Sequence, residues 1–272
     1  MAYPKLIIWA LFIIGPQLLF AQYTFEVPAD EKQEASRQAA PPLLQYSHLE
    51  ERDVFWETRI WRDIIVAEKA NQHFSAIDQE LISALMKAAN HGEITLYHPI
   101  DDRFSQPLCP AERKAIMGET DTTTVIDPET LEEEHVAIYT PLNPQNVVAY
   151  RLKEVWYFDL QRGQLDVRIL GVAPIVEEYG ENGEFLARRP LFWAYYPDAR
   201  QALAKSRSYT PYNTPMSWAD ALDARFFSSL IIKQSNLQDR RIEDYAQGMQ
   251  ALLEAEKIQE KIRNFEHDLW TY

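Results

Sequence analysis

The fold is decided by LKEVWYFDLQRGQLDVRILGVAPIVEEYGENGEFLARRPLFWAYYP, Leu152–Pro197. Its first segment, Leu152–Leu160, is dense in β-branched and aromatic residues, the composition of a strand. Gln161-Arg162-Gly163-Gln164 reads as a turn, and Leu165–Tyr179 as a long strand. Glu181–Glu184 contains Asn182-Gly183, a pair favoured in tight hairpins. Phe185–Pro197 then returns, so at least three antiparallel strands follow one another in meander order. Pro174 and Pro190 mark edges, bulges or strand breaks, because proline donates no ladder hydrogen bond. Several of these strands are apolar on both faces, so helices or a partner must cover much of the sheet.

Working outward, EITLYHP (Glu93–Pro99) is a candidate fourth strand. Before it, ERDVFWETRIWRDIIVAEK (Glu51–Lys69) places Val54, Trp61, Ile64 and Ile65 on one helical stripe, widened by Trp56 and Ile60. A helix is predicted there. A second is predicted in SAIDQELISALMKAANHG, with Ser75 and Asp78 as a capping box. Its buried stripe is Ile77, Leu81, Leu85 and Ala88, and Gly92 is the stop. Beyond the sheet, Ser217 caps a helix with Asp220 in its first turn and a stripe of Trp218, Leu222, Phe226 and Leu230. A last helix runs from about Asp239 towards Trp270. Its stripe is Tyr245, Met249, Leu252, Ala255, Ile258, Ile262, Phe265 and Leu269. The expected architecture is α+β: an antiparallel meander of three to four strands packed with N-terminal and C-terminal helices, in one domain over residues 52–272.

Composition narrows the function. Apolar residues make up 46% of the 272, with seven Trp, so a sizeable core can be buried. The net charge of −14 leaves no basic stripe to neutralise phosphates, which argues against a nucleic-acid partner. Residues 1–21 have the form of a cleavable signal peptide: Lys5, the apolar core LIIWALFIIG, and a small residue at Ala21. The other reading is an uncleaved anchor. No Cys follows the apolar core, so this is not a lipoprotein signal. Residues 22–51 read as a flexible segment, either a spacer or a tail that orders on a partner. The single Cys109 excludes an internal disulfide and reads as a small buried apolar residue, with a nucleophile as the competing reading.

Candidate chemistry is sparse. There is no GxGxxG, phosphate loop, GxSxG or HExxH. Glu266-His267-Asp268 suggests a metal site or proton relay, but neighbours on a helix point about 100° apart. The positions three and four before His267 are Asn264 and Arg263, neither a usual ligand. Phe265 and Leu269 are therefore expected to dock the helix while the polar trio caps, pairs or faces water. His98 with Asp101 or Asp102 could hold a metal; a turn in which Asp bonds its own backbone is the alternative. Residues 118–147 include seven acidic residues in GETDTTTVIDPETLEEEH and read as a solvated, partly mobile loop, or as a cation site without EF-hand spacing. The Trp residues serve core packing or sugar stacking. No catalytic, cofactor-binding or metal-ligating residue is assigned.

Six stretches, taken in order, point to one family: IWRDIIVAEKAN, GEITLYHPIDDRFS, YRLKEVWYFDLQRGQLDVRILGVAPI, PLFWAYYPDAR, FFSSLIIKQSNLQDRRIEDY and ALLEAEKIQEKIRNFEHDLWTY. The chain resembles the gliding-motility family GldN, called PorN in non-gliding bacteria, over about residues 52–272. The resemblance implies a periplasmic component of the Bacteroidetes type IX secretion system, held at the outer membrane by a lipoprotein partner, GldK or PorK. Family members join that lipoprotein in a large ring with copies of themselves, and are linked to the inner-membrane pair GldL and GldM. The family brings no catalytic residues. The segments 155–158, 191–196 and 54–65 are candidate contact surfaces, with core packing as the competing reading. The alternative function is a periplasmic cell-wall carbohydrate-binding protein or glycoside hydrolase.

Overall fold

In a computed structural model, the described residues are 43, 46, 48–77, 80–126, 133–180, 182–209 and 215–269. At 119–126, 133–139, 209, 215 and 266–269 the description covers the backbone alone. In chain order, β1 (Val54–Ile65) leads through a 3-10 turn (Lys69–Ser75) to α1 (Leu81–Asn90) and β2 (Leu96–Tyr97). Then come α2 (Pro110–Met117), β3 (Gly118–Ile126), β4 (Glu133–Pro141), β5 (Val147–Asp159) and β6 (Gln164–Tyr179). β7 (Phe185–Pro190), β8 (Trp193–Tyr195), α3 (Tyr196–Lys205), β9 (Arg207–Tyr209) and β10 (Pro215–Ser217) follow. α4 (Trp218–Asp223), β11 (Leu230–Gln234) and α5 (Met249–Leu269) end the chain of elements.

Among the described residues, seven strands form an antiparallel sheet ordered β11-β1-β5-β6-β8-β2, with β7 also on β6. The predicted meander is its middle. Gly163 and Gly183 occupy the left-handed region at φ 61° and 79°, as the two turns between β5, β6 and β7 require. Pro174 and Pro190 lie where the returning strand breaks into β7 and β8, and the Pro174 carbonyl accepts from Leu191 N–H at 2.9 Å. The α+β class holds, but the sheet is wider than three to four strands.

Residues 54–65 are not a helix but β1, paired with β5 from Val54↔Asp159 to Ile65↔Ala149 and with β11 on its other edge. Its alternation is masked in sequence. Thr58, Ile60, Arg62 and Ile64 are all buried on one face, two of them polar, while Trp61 is buried on the opposite face. Apolar residues on both faces imitate a broad helical stripe. The many β-branched residues (Val54, Thr58, Ile60, Ile64, Ile65) favour the strand once β5 and β11 supply partners.

One face of the sheet carries the helices. Ile64, Tyr150, Leu152 and Val172 pack with Phe74, Leu81, Leu85, Leu203, Trp218 and Leu222 in the larger core. A smaller core at the other end joins Ile60 and Ile231 to Ile242, Ala255 and Ile262 of the C-terminal region. On the opposite face, Trp61, Ala173 and Trp193 are covered by Tyr97 and Phe104. Gly171 makes that cover fit: a Cβ there would stand 2.5 Å from the Phe104 ring.

Other elements differ from expectation in informative ways. α1 keeps Leu81, Leu85 and Ala88 buried and stops at Gly92, φ 72°. It begins later than predicted, however: Ser75 ends the preceding 3-10 turn, Asp78 lies outside the described residues, and Ile77 is exposed. Ser217 caps α4 by accepting from Asp220 N–H at 3.0 Å, as predicted. That helix ends at Asp223, so Phe226 is exposed and Leu230 starts β11. Residues 118–126 and 133–141 are not loop but a two-stranded hairpin, paired from Gly118↔Pro141 to Ile126↔Glu133. Its Thr, Val and Ile content outweighs the acidic charge in selecting extended backbone. Residues 127–132 and the leading residues 1–42 lie outside the described residues.

Gly171→Ala should displace Phe104 and lower stability by about 1–3 kcal/mol in urea unfolding, the cost of overpacking. His73 is buried between Phe74 (ring centroids 4.5 Å) and Trp218 (5.9 Å). Burial lowers its pKa below the ordinary 6.5, with a backbone contact to Ala70 opposing. Below that pH the unfolded chain takes up a proton that the native state resists, so stability is full above about pH 6.5 and falls as pH drops. The melting temperature should fall more steeply from pH 7 to 5.5 in the wild type than in His73→Gln.

Candidate functional site

The residues that sequence singles out for chemistry are mostly engaged structurally. Asp101 accepts from Arg103 N–H and Ser105 N–H, both at 3.0 Å, and from Ser105 Oγ, which is the turn reading. Asp102 accepts from Trp61 Nε1 at 2.8 Å and pairs with Lys153 Nζ at 3.3 Å. His98 Nδ1 faces Ile100 N–H at 3.4 Å, and His91 is the exposed C-cap of α1. Among the described residues, no three His, Cys, Asp or Glu side chains are grouped to hold a metal. Glu266, His267 and Asp268 are helical in backbone, and their side chains lie outside the described set. Cys109 is not buried: it is exposed as the N-cap of α2, where Sγ accepts from Glu112 N–H at 3.5 Å while Glu112 Oε2 accepts from Cys109 N–H at 2.8 Å. The polar demand of a helix start outranks the apolar character of the thiol.

The proposed contact segments divide the same way. Phe192, Trp193, Ala194 and Tyr196 are core, as are Tyr157 and Phe158, and 54–65 is a central strand. Exposed apolar side chains occur elsewhere. Tyr179 and Phe185 meet edge-to-face at 6.2 Å at the β6–β7 turn, beside exposed Leu186. Met249, Leu252 and Leu253 are exposed on α5, with Tyr245 just before it. Spacings of three and four put those three α5 residues on one face. Ala251, Ala255, Ile258 and Ile262 pack on the opposite face, against the sheet. The predicted stripe is thus two stripes, because the long run of apolar positions drifts round the helix. Phe265 does dock, half-buried, stacked 4.5 Å from Trp56.

Between the two cores on the helical face lies a charged layer that sequence did not indicate. Glu154 is fully buried. Its Oε1 accepts from Arg225 at 2.8 Å; its Oε2 accepts from Trp156 Nε1 at 3.0 Å and lies 2.9 Å from Arg62 Nε. The Arg62 Nε–H is misaligned for a hydrogen bond, although its Nη1 donates to Ser229 Oγ at 3.0 Å. Burial pulls the Arg62 pKa down and Glu154 opposes it. Arg225 ends α4 in the left-handed region at φ 57°. Its N–H reaches Leu222 O at 3.1 Å, and Phe226 N–H reaches Ala221 O at 2.9 Å, a Schellman ending. Glycine usually fills that position, and another residue costs on the order of 1–3 kcal/mol.

Arg225 borders two clefts. One, about 200 Å³, is lined by Arg62, Trp156, Leu165, Gln259, Ile262 and Arg263. The other includes Tyr46, Asp166, Arg200 and Asp223. Both carboxylates of the second cleft are engaged. Asp223 accepts from Arg200 Nε at 2.7 Å and Tyr196 Oη at 2.8 Å; Asp166 accepts from Tyr157 Oη at 3.2 Å and pairs with Arg162 at 3.4 Å. The Tyr46 ring centroid lies 4.2 Å from the Arg200 guanidinium, which ties this part of the leading segment to α3 and α4.

The family model described as "Gliding motility associated protein GldN" matches residues 49–271. The chain belongs to the GldN family. The match runs from just before β1 to the end of α5, so it takes in the whole sheet and both cores of this GldN-family chain. No curated protein matches the chain.

The buried layer generates a stability prediction. Glu154→Leu should cost about 3–5 kcal/mol, because it leaves buried arginine charge uncompensated. Arg62→Met combined with Glu154→Leu should cost less than Glu154→Leu alone. Urea unfolding of the three proteins would reveal this; a double variant weaker than the single would refute it.

Proposed function

We propose that this gliding-motility-associated chain is a non-enzymatic structural subunit of the type IX secretion and gliding machinery. It works in the periplasm after removal of the signal peptide, and joins an outer-membrane lipoprotein of the GldK or PorK kind in a ring. It also meets the inner-membrane GldL and GldM-like proteins. Family membership supports the gliding role. The observation that carries the assembly reading is the doubled apolar character of α5, one face against the sheet and the other presenting Met249, Leu252 and Leu253. A helix apolar on both faces is normally buried on both. The β6–β7 turn with Tyr179, Phe185 and Leu186 supplies a different apolar patch. A ring needs two unlike surfaces on each subunit, one complementary to the next. The carbohydrate-active alternative gains no specific support, since Asp166 and Asp223 are both engaged by arginine and tyrosine.

The test is mass measurement of the purified protein alone and with its lipoprotein. A large assembly is expected with the lipoprotein. Leu252→Asp with Leu253→Asp, or Phe185→Asp, should reduce it by at least tenfold in affinity while the melting temperature stays within a few degrees. A strict monomer that ignores the lipoprotein would overturn the reading.

A further inference from the structure

The cleft between β5, β6 and α5 holds more positive charge than its own residues neutralise. Glu154 is the buried anion of the layer, and both its oxygens are already taken. It faces two arginines, Arg62 and Arg225, which leaves an excess cation. Arg263 adds another from α5; it is exposed and forms no ion pair among the described residues. This concentration of guanidinium stands out in a chain of net charge −14.

Fold stability does not by itself require a surplus arginine here, although Arg225 also packs over Trp156 and Phe227. Apolar replacements of a buried Arg–Glu–Arg triad are often as stable or more so. Arg225, moreover, sits at a helix end where its own backbone would be easier as glycine. Two independent features therefore place arginine here against local preference, and both border the same cleft. The remaining walls are Trp156, Leu165 and Ile262, with the Gln259 amide beside them.

We infer that this cleft binds the free C-terminal residue of a peptide, its carboxylate on the arginines and its apolar side chain against Trp156, Leu165 and Ile262. Guanidinium forks match a carboxylate in two parallel hydrogen bonds. Gln259 can both donate to and accept from the preceding peptide group. The cleft volume of about 200 Å³ suits one terminal residue; pockets for larger organic ligands run roughly 300–1,000 Å³. The site is independent of the ring-subunit reading, because it is tested on the isolated chain.

The experiment titrates the intact protein against fluorescein-labelled Gly-Ser-Gly-Leu, as free acid and as C-terminal amide, by fluorescence polarisation. Amidated Gly-Ser-Gly-Asp supplies a side-chain carboxylate, and sodium acetate and inorganic phosphate serve as competitors. The free acid should bind at least tenfold more tightly than either amide. Arg263→Glu, a surface change, should weaken it at least tenfold with an unchanged melting temperature. Equal binding of acid and amides, no binding of the free acid, or an unaffected Arg263→Glu would overturn the proposal. Displacement by acetate at the peptide's own concentration would also overturn it, since the apolar wall would then contribute nothing.

Discussion

The pairing of β1 with β5 is the constraint on which the rest of the structure depends. It brings residues near position 60 against residues near 155, spanning Val54↔Asp159 to Ile65↔Ala149. That register sets Ile64 beside Tyr150 and Ile60 beside Glu154. The first pair builds the larger core; the second places a buried carboxylate at the border with the smaller one. Because strand side chains alternate strictly, a slip of one residue would move Arg62 and both isoleucines to the other face. β11 then adds to the free edge of β1, and α5 follows to cover Ile60 and Ile231.

The same register explains why a charged layer interrupts an apolar face. Arg62 stands between Ile60 and Ile64, where an aliphatic residue would continue the core. Glu154 meets it from β5, and Arg225 arrives from the end of α4. Glu154 has one local partner, Trp156, but both arginines reach it from positions distant in sequence, at separations no local pattern can display. The cost of leaving any one of them alone in a buried site is large, so the layer ties β1, β5 and the α4 ending into one arrangement. On the opposite face, Lys153 and Lys233 instead lie over the Trp61 ring at 5.3 and 4.3 Å, so that face too combines charge with aromatic cover.

Much of the fold was legible where the signals were local. The β5–β6–β7 meander was visible in its turns, because Gly163 and Asn182-Gly183 supply the backbone the turns need. Ser217 announced α4, and Leu81, Leu85 and Ala88 announced α1. The Asp101 turn was one of two readings for its segment, and the structure selects it. Less was legible where faces mix. Buried Thr58 and Arg62 disguised β1 as a helix, and Arg225 in a glycine position concealed the end of α4. The cleft had no sequence signature at all: Arg62, Trp156, Arg225 and Arg263 belong to four separate elements or element ends, and none forms a recognisable motif with another.

By itself, then, the sequence determined the α+β class, the central hairpins, the presence of a long C-terminal helix and, through ordered stretches, the family. These depend on interactions within a few residues or on similarity along the chain. The tertiary structure alone decided that residues 54–65 are a central strand, that the C-terminal helix divides its apolar positions between a buried and an exposed face, and that three arginines line one cleft. The reason is physical. A short amphipathic segment takes the conformation that its neighbours can pair and bury, and a buried charge is tolerable only where the fold delivers its partner.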